Sequence, residues 1–277
     1  AADRRTDKTR YDSLNELRQE RFDLMAQMEH LPEDMVFYTQ ITMEAAEDPE
    51  FLSAMRRARI RGALVGVESV TPEGLKAVYK NFNDAGEALV TRLQAFRSHG
   101  VHVLGSFIFG LPTDKPETFD ATVDLAQRAG ISFAQFVMLT PFPGTLDFAK
   151  WEKETGERAG TNGVALTRYW LIPPAQRPKV YSPHPLMTAE EIRTRTQGVW
   201  DRFYGFGPIW QRSTCVRSIR ARCAFVLISK LYRQMYANTG IATDSARVAR
   251  SARRARVLAR MARRLFIAAP MPDLAEP

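Results

Sequence analysis

A carboxylate that directly follows an apolar run is the clearest chemical group in the chain. Gly62 to Val67 has the pattern of a buried strand, and Glu68-Ser69 closes it. A carboxylate at such a tip is partly buried and requires a cationic or hydrogen-bonding partner. A ligand ammonium meets that requirement, and so does a salt bridge to a nearby arginine. Ser69 reads either as a ligand contact or as a cap for the helix opened by Thr71, Pro72 and Glu73. Three more apolar runs end in polar or backbone-exposing residues. Met35 to Thr42 carries Thr39 and Gln40, with Gln40 readable also as a satisfied core amide. Val101 to Phe109 runs into Gly110-Leu111-Pro112, where the backbone must turn sharply and come close to something. Ile131 to Leu139 runs into Thr140-Pro141-Phe142-Pro143. No Ser-His-Asp arrangement and no metal-ligand spacing accompanies them. His99 and His102 fall at the far end of their strand, and His30 and His184 are isolated near prolines. This is a ligand-binding face without hydrolytic machinery and without an evident catalytic residue.

The elements that position these tips alternate. Asp12 to His30 has an apolar helical stripe. A strand over Met35–Thr42 follows, then a short helix opened by Pro49, the strand ending at Glu68, and a helix at Thr71-Pro72-Glu73. Asp84 to His99 is a helix closed by Gly100; the strand Val101–Phe109 follows, then a helix over Glu117–Arg128 and the strand Ile131–Leu139. Such alternation predicts a parallel sheet with helical crossovers, either a barrel or a doubly wound sheet. Four strands do not close a barrel alone. Neither a Gly-x-Gly-x-x-Gly fingerprint nor a phosphate loop is present. From Glu152 the alternation stops. Residues 156–186 read as an irregular connection, Thr188 to Tyr204 as a capped helix, and 209–237 and 244–267 as two long helices.

Composition is globular, with 45% apolar and 25% charged residues among 277. No apolar run is long enough to span a membrane. The start has neither a signal-peptide core nor an initiator methionine, so a longer protein is expected to extend before Ala1. The two cysteines, Cys215 and Cys223, form no disulfide framework, which suits a reducing compartment. Residues 208–277 hold fourteen Arg and Lys against three acids, a net of +11, so residues 1–207 carry −3 of the overall +8. By that distribution the C-terminal tail, and not the rest, is the candidate for a polyanion or membrane contact.

Four stretches at the strand ends resemble the radical S-adenosylmethionine (SAM) superfamily, in the class that carries a cobalamin-binding domain and includes hopanoid methylases and an anaerobic cyclase. They are Phe37-Tyr38-Thr39-Gln40, Gly66-Val67-Glu68-Ser69, Gly105 to Pro112, and Leu139 to Thr145, in the family's order. The resemblance implies an α/β fold: the last four strands of a six-stranded (β/α) barrel, followed by an α-helical C-terminal region. The implied domains are a leading helix (1–32), the partial barrel (33–155), a connection and helix (156–207) and a basic helical region (208–277). It places Gln40, Glu68 and Ser69, Ser106, Gly110, Leu111 and Pro112, and Leu139 and Pro141 beside SAM, with Thr140 and Phe142 facing substrate. SAM calls for a carboxylate for its ammonium, exposed backbone for its adenine edge and an apolar wall.

The family's Cys-x-x-x-Cys-x-x-Cys motif is absent here. The [4Fe–4S] cluster and cobalamin are therefore expected in the full-length protein, on ligands outside this chain, and the chain alone is expected to be inactive. The intact enzyme would generate a 5′-deoxyadenosyl radical and modify, by methylation, an unactivated carbon of a hydrophobic small molecule or lipid. The expected partners are that substrate, the missing N-terminal half and an anionic membrane surface at residues 246–277, with no nucleic acid; the expected location is cytoplasmic, peripheral at the inner membrane. Two alternatives stay open: a methylthiotransferase acting on RNA, and a non-catalytic α/β binding module.

Overall fold

The computed structural model of the chain describes residues 2–80, 85–155, 164–172 and 181–238. Four strands, β1 (Phe37–Ile41), β2 (Ile60–Glu68), β3 (His102–Phe109) and β4 (Phe133–Met138), form one sheet. All neighbours run parallel, and they lie in chain order. A doubly wound sheet reverses its strand order at a switch point, and this sheet does not. The four strands are an arc of a barrel.

The helices are α1 (Ala2–Glu29), α2 (Pro49–Arg57), α3 (Pro72–Ala77), α4 (Gly86–Ser98), α5 (Pro116–Arg128), α6 (Leu146–Thr155), α7 (Ala189–Phe203), α8 (Phe206–Arg212) and α9 (Ile219–Asn238). Their starts follow local chemistry. Proline opens α2, α3 and α5. Asp48 Oδ1, Thr71 Oγ1 and Thr188 Oγ1 accept from the backbone N–H three residues on, at 2.9, 3.1 and 3.2 Å.

The sheet has two faces. On the outer face Val65, Val67, Phe107, Phe109 and Phe136 are buried under helices. Phe109 stacks on Phe119 of α5 at 4.3 Å, and Phe136 meets Trp200 of α7 edge-on at 5.5 Å. Burial of each such ring contributes on the order of 1.5–3 kcal/mol. The inner face carries residues aligned across the strands: Gln40, Leu64, Leu104 and Phe133 in one row, then Gly66, Ser106 and Gln135, then Ile108 and Val137. Part of it is covered by α9, whose Phe225 and Tyr232 lie 5.3 and 5.6 Å from the Phe133 ring.

The two sheet edges differ. At β4 the Tyr204 hydroxyl accepts from Ala134 N at 3.0 Å and donates to Ala134 O at 2.7 Å. Trp200 Nε1 donates to Phe136 O at 2.8 Å. Side chains thus take the places a further strand would fill. Among the described residues β1 pairs only with β2.

Several expectations change. The leading helix is longer than Asp12–His30, and α6 adds a helix after β4, opened by Thr145 Oγ1 accepting from Phe148 N at 3.2 Å. The helix expected over 209–237 is broken. It comprises the end of α8, a 3-10 turn at Ser213–Cys215, an extended Val216 and then α9. Ser213, Thr214 and Ser218 compete with the helix for backbone groups there, and Ser213 Oγ donates to Trp210 O at 2.6 Å. The helix expected over 244–267 and the tail from 246 lie outside the described residues. No described helix is long and apolar enough to cross a membrane.

Candidate functional site

The carboxyl ends of parallel strands gather on one side of a barrel, where sites are built. Glu68 ends β2 at a register break between Gly66 and Glu68, with φ +67°. A left-handed backbone at a non-glycine residue costs about 1–2 kcal/mol and clusters at functional sites. Its side chain is mostly buried, and Oε1 accepts from Lys80 Nζ at 2.7 Å. The salt-bridge partner within the chain is thus a lysine and not the arginine of the salt-bridge alternative. Lys80 Nζ also lies 3.4 Å from Gly66 O. Gly66 makes the room: a Cβ there would stand 2.5 Å from Glu68 Oε1 and 2.9 Å from Lys80 Nζ.

Ser69 is buried, and its hydroxyl accepts from Thr71 N at 3.3 Å. Thr71 is the helix cap, so Ser69 shapes the turn before it. Gln40 pairs with Leu64 through the strand ladder, but its side-chain amide is exposed and makes no hydrogen bond among the described residues, which corrects its reading as a satisfied core amide. Ser106 points to the inner face beside Gln135. Gln135 Nε2 donates to Ser106 Oγ at 2.8 Å, and Gln135 Oε1 accepts from the Tyr236 hydroxyl of α9.

The Gly110-Leu111-Pro112 turn differs most from expectation. Gly110 and Leu111 are buried, and both their N–H groups donate to Asp114 Oδ2, at 2.8 and 3.1 Å. Gly110 has φ +92°, which only glycine adopts freely. The Leu111 carbonyl accepts from His184 Nε2 at 2.9 Å, while His184 Nδ1 accepts from Leu186 N and Met187 N. The turn's backbone is therefore bonded internally rather than presented to an adenine edge; only Pro112 is exposed. Asp114 is 1% exposed, and its Oδ1 has no hydrogen-bond partner. Burial raises its pKa; the Gly110 and Leu111 N–H groups, then His184, oppose that rise.

After β4, Leu139 N donates to Phe109 O at 2.7 Å and ties the tips of β3 and β4 together. Pro141 is buried, and Thr140 Oγ1 donates to Met138 O at 3.1 Å. Phe142 is 63% and Leu146 89% exposed, which makes the loop apolar and open.

The structure thus brings Glu68, Ser106 and the loops after β3 and β4 to one end of the sheet. Lys80, Gln135, Asp114 and His184 belong there too and were not singled out for it. Gln135 carried a signal, since a polar residue alternating with Phe133 and Val137 falls on the inner face. Lys80 and His184 are brought in by turns whose path no local pattern announces. Cys215 and Cys223 lie away from this end, after α8 and on α9.

Parts of the chain are similar to known proteins. No protein-family model matches the chain. It is 36% identical over 107 residues to a bacteriochlorophyllide d C-12(1)-methyltransferase of Chlorobaculum tepidum, covering 38% of this chain and 23% of that protein. It is 30% identical over 118 residues to the hopanoid C-2 methylase of Rhodopseudomonas palustris, covering 42% of this chain and 22% of the methylase. The chain therefore matches less than a quarter of either relative's length. Among solved structures it shares the fold of the radical SAM methyltransferase TsrM from Kitasatospora setae, which was determined with cobalamin and a [4Fe–4S] cluster bound. The TM-score is 0.50 at 16% identity, covering 76% of this chain and 48% of TsrM.

Proposed function

We propose that this chain, a relative of cobalamin-dependent radical SAM methyltransferases, forms the SAM-binding side of the barrel in a longer enzyme that methylates an apolar substrate. The observation that carries this reading is the Glu68 carboxylate, held at the tip of β2 by a left-handed backbone and already receiving an alkylammonium, that of Lys80. The methionine ammonium of SAM is the same kind of donor, and exchanging one for the other keeps the buried carboxylate paired.

The residues at this end suit the rest of the molecule. Ile108 and Val137 supply an apolar wall on the inner face, and Leu139 and Pro141 extend it beyond β4. Ser106 offers a hydroxyl for the ribose. The Gly110-Leu111-Pro112 turn, its donors bonded to Asp114, contributes shape rather than hydrogen bonds. Gln40 and Ser69 flank the ammonium end. Thr140 and the exposed Phe142 stand toward substrate, and an exposed phenylalanine in the loop fits a hydrophobic one. SAM, bound with a reduced iron–sulfur cluster and cobalamin held elsewhere in the protein, supplies the radical and methyl-transfer chemistry. The residues of this chain orient SAM and exclude water from it.

The test is Glu68→Gln in the full-length enzyme, with SAM binding measured by calorimetry. Binding should weaken by about 1.5–3 kcal/mol, the range for a hydrogen bond to a charged group, with the fold intact. Unchanged binding together with a lower melting temperature would make Glu68 a structural partner of Lys80 and overturn the reading.

A further inference from the structure

At the opposite end of the sheet, below the amino ends of β2 and β3, lies a cavity of about 960 Å³. That is the size of a small-molecule site. Its walls come from three elements: Arg56 and Arg57 end α2, Arg97 ends α4, and Arg217 and Arg220 bracket the start of α9. No aspartate or glutamate lines it.

The placement of these arginines is built. Arg56 lies across Gly100, where a Cβ would come within 3.2 Å of the side chain. Arg97 lies against Gly130, where a Cβ would stand 2.5 Å from Nη1. Both glycines are in the left-handed region, at φ +71° and +64°. Among the described residues Arg56, Arg97 and Arg220 form no ion pair with a carboxylate. Arg57 pairs with Glu29 at 3.2 Å. The positive field is felt within the wall. Burial lowers the pKa of His102, and Arg97, Arg56 and Arg61 lower it further. Arg61 is itself lowered by burial, then by Arg56 and Arg59.

Helix electrostatics accounts for part of this. Arginines suit the carboxyl ends of α2 and α4, where the dipole is negative. It does not account for α9. The amino end of that helix is positive, its first turn has no acid, and Arg220 stands in it. An anion in the cavity resolves the conflict on all walls at once.

We propose that this basal cavity binds a phosphate-bearing group, held by Arg56 and Arg97 on one wall and Arg220 on the other. Planar guanidinium forks fit phosphate oxygens, and the cavity leaves room for whatever the phosphate is attached to. The site is at the other end of the barrel arc from Glu68 and does not rest on the SAM reading. A count of charge by segment misses it, because it joins arginines from the net-acidic first 207 residues to others from the basic region.

The test is calorimetric titration of the full chain with pyrophosphate at physiological ionic strength. Saturable one-to-one binding is expected. It should weaken roughly ten-fold or more in Arg56→Gln/Arg97→Gln, which removes two charge-assisted contacts. Arg195→Gln/Arg202→Gln, with the same charge change on α7, should leave it unaltered. Arg220→Gln, an exposed substitution on the facing wall, should weaken it too and serves if the first pair impairs folding. Sedimentation with phosphatidylglycerol vesicles, against phosphatidylcholine vesicles, separates the sources. A lipid headgroup is the ligand if the Arg56/Arg97 variant loses both pyrophosphate and vesicle binding. A soluble phosphate compound is the ligand if only pyrophosphate binding falls. Absence of saturable binding, or equal weakening by the cavity and α7 pairs, overturns the proposal.

Discussion

Glu68 occupies a backbone conformation that asparagine or glycine would hold with less strain. Its residue type gives no sign of that conformation. What the sequence does show is a carboxylate after an apolar run, and from that its burial and its need for a cation follow. The identity of the cation does not, because Lys80 arrives through α3 and a turn at Tyr79, another left-handed residue at φ +58°. Gly66 is the hidden member of the group. Read as a strand residue it is a weak point; in the structure it is the space in which the ion pair lies. Gly66→Ala should therefore lower stability by roughly 1–3 kcal/mol, the usual cost of overpacking, as measured by urea unfolding. Made in a Lys80→Ala background it should cost clearly less, since Lys80 Nζ, 2.9 Å from that Cβ, is then gone and the nearer Glu68 carboxylate is no longer held in place by it. Equal costs in the two backgrounds would mean that the Gly66 space is not shaped by the pair.

At the scale of elements, the helix starts were legible because caps and prolines act locally, as Thr71, Pro72 and Thr188 show. The break between α8 and α9 was not. It depends on Ser213 bonding back to Trp210 and on Arg222 Nε donating to Ser213 Oγ at 2.9 Å, which needs the two helices already in place. The Gly110-Leu111-Pro112 turn was legible as a turn. Its internal bonding was not, since Asp114 also reads as an ordinary helix-start residue. Asp114 Oδ2 alone takes both N–H groups, so Asp114→Asn can keep both bonds. The difference between the two appears in pH dependence. Burial raises the folded-state pKa of Asp114 above its unfolded value of about 3.9. The folded state then binds more protons than the unfolded state. Asp114's favourable contribution is complete below the unfolded value and is lost as pH rises through the folded one. Denaturant midpoints measured from about pH 4 upward should fall more steeply for the parent than for Asp114→Asn. Parallel curves would show that Asp114 is no more reluctant to ionise in the fold than out of it.

The whole molecule is asymmetric across its sheet, and this asymmetry sets its behaviour in isolation. Strand and helix alternation predicted a parallel sheet but left a barrel and a doubly wound sheet equal; register in chain order decides for the barrel arc. That choice is invisible locally because every βαβ unit looks alike whichever side the next strand takes. At β4 the arc ends on side-chain hydrogen bonds from Trp200 and Tyr204, which leave no free ladder for another strand at Ala134. At β1 there is no such cover among the described residues. Tyr38 is 58% exposed on the inner face, its ring lying over Gly62, and exposed Leu17 and Leu24 of α1 border the same groove. An uncovered parallel edge beside apolar surface is a template for pairing with another chain. The isolated chain should therefore self-associate, with an apparent mass in light scattering that rises with concentration. Tyr38→Lys/Gln40→Lys, which adds charge on the inward side of β1, should shift it toward monomer, because inward-pointing charges block edge pairing. The same charge added on the sealed side, by Ala121→Lys/Gln127→Lys on α5, should not. A monodisperse monomer of the parent chain at all concentrations would mean that β1 is covered after all, and that this arc is complete without further strands.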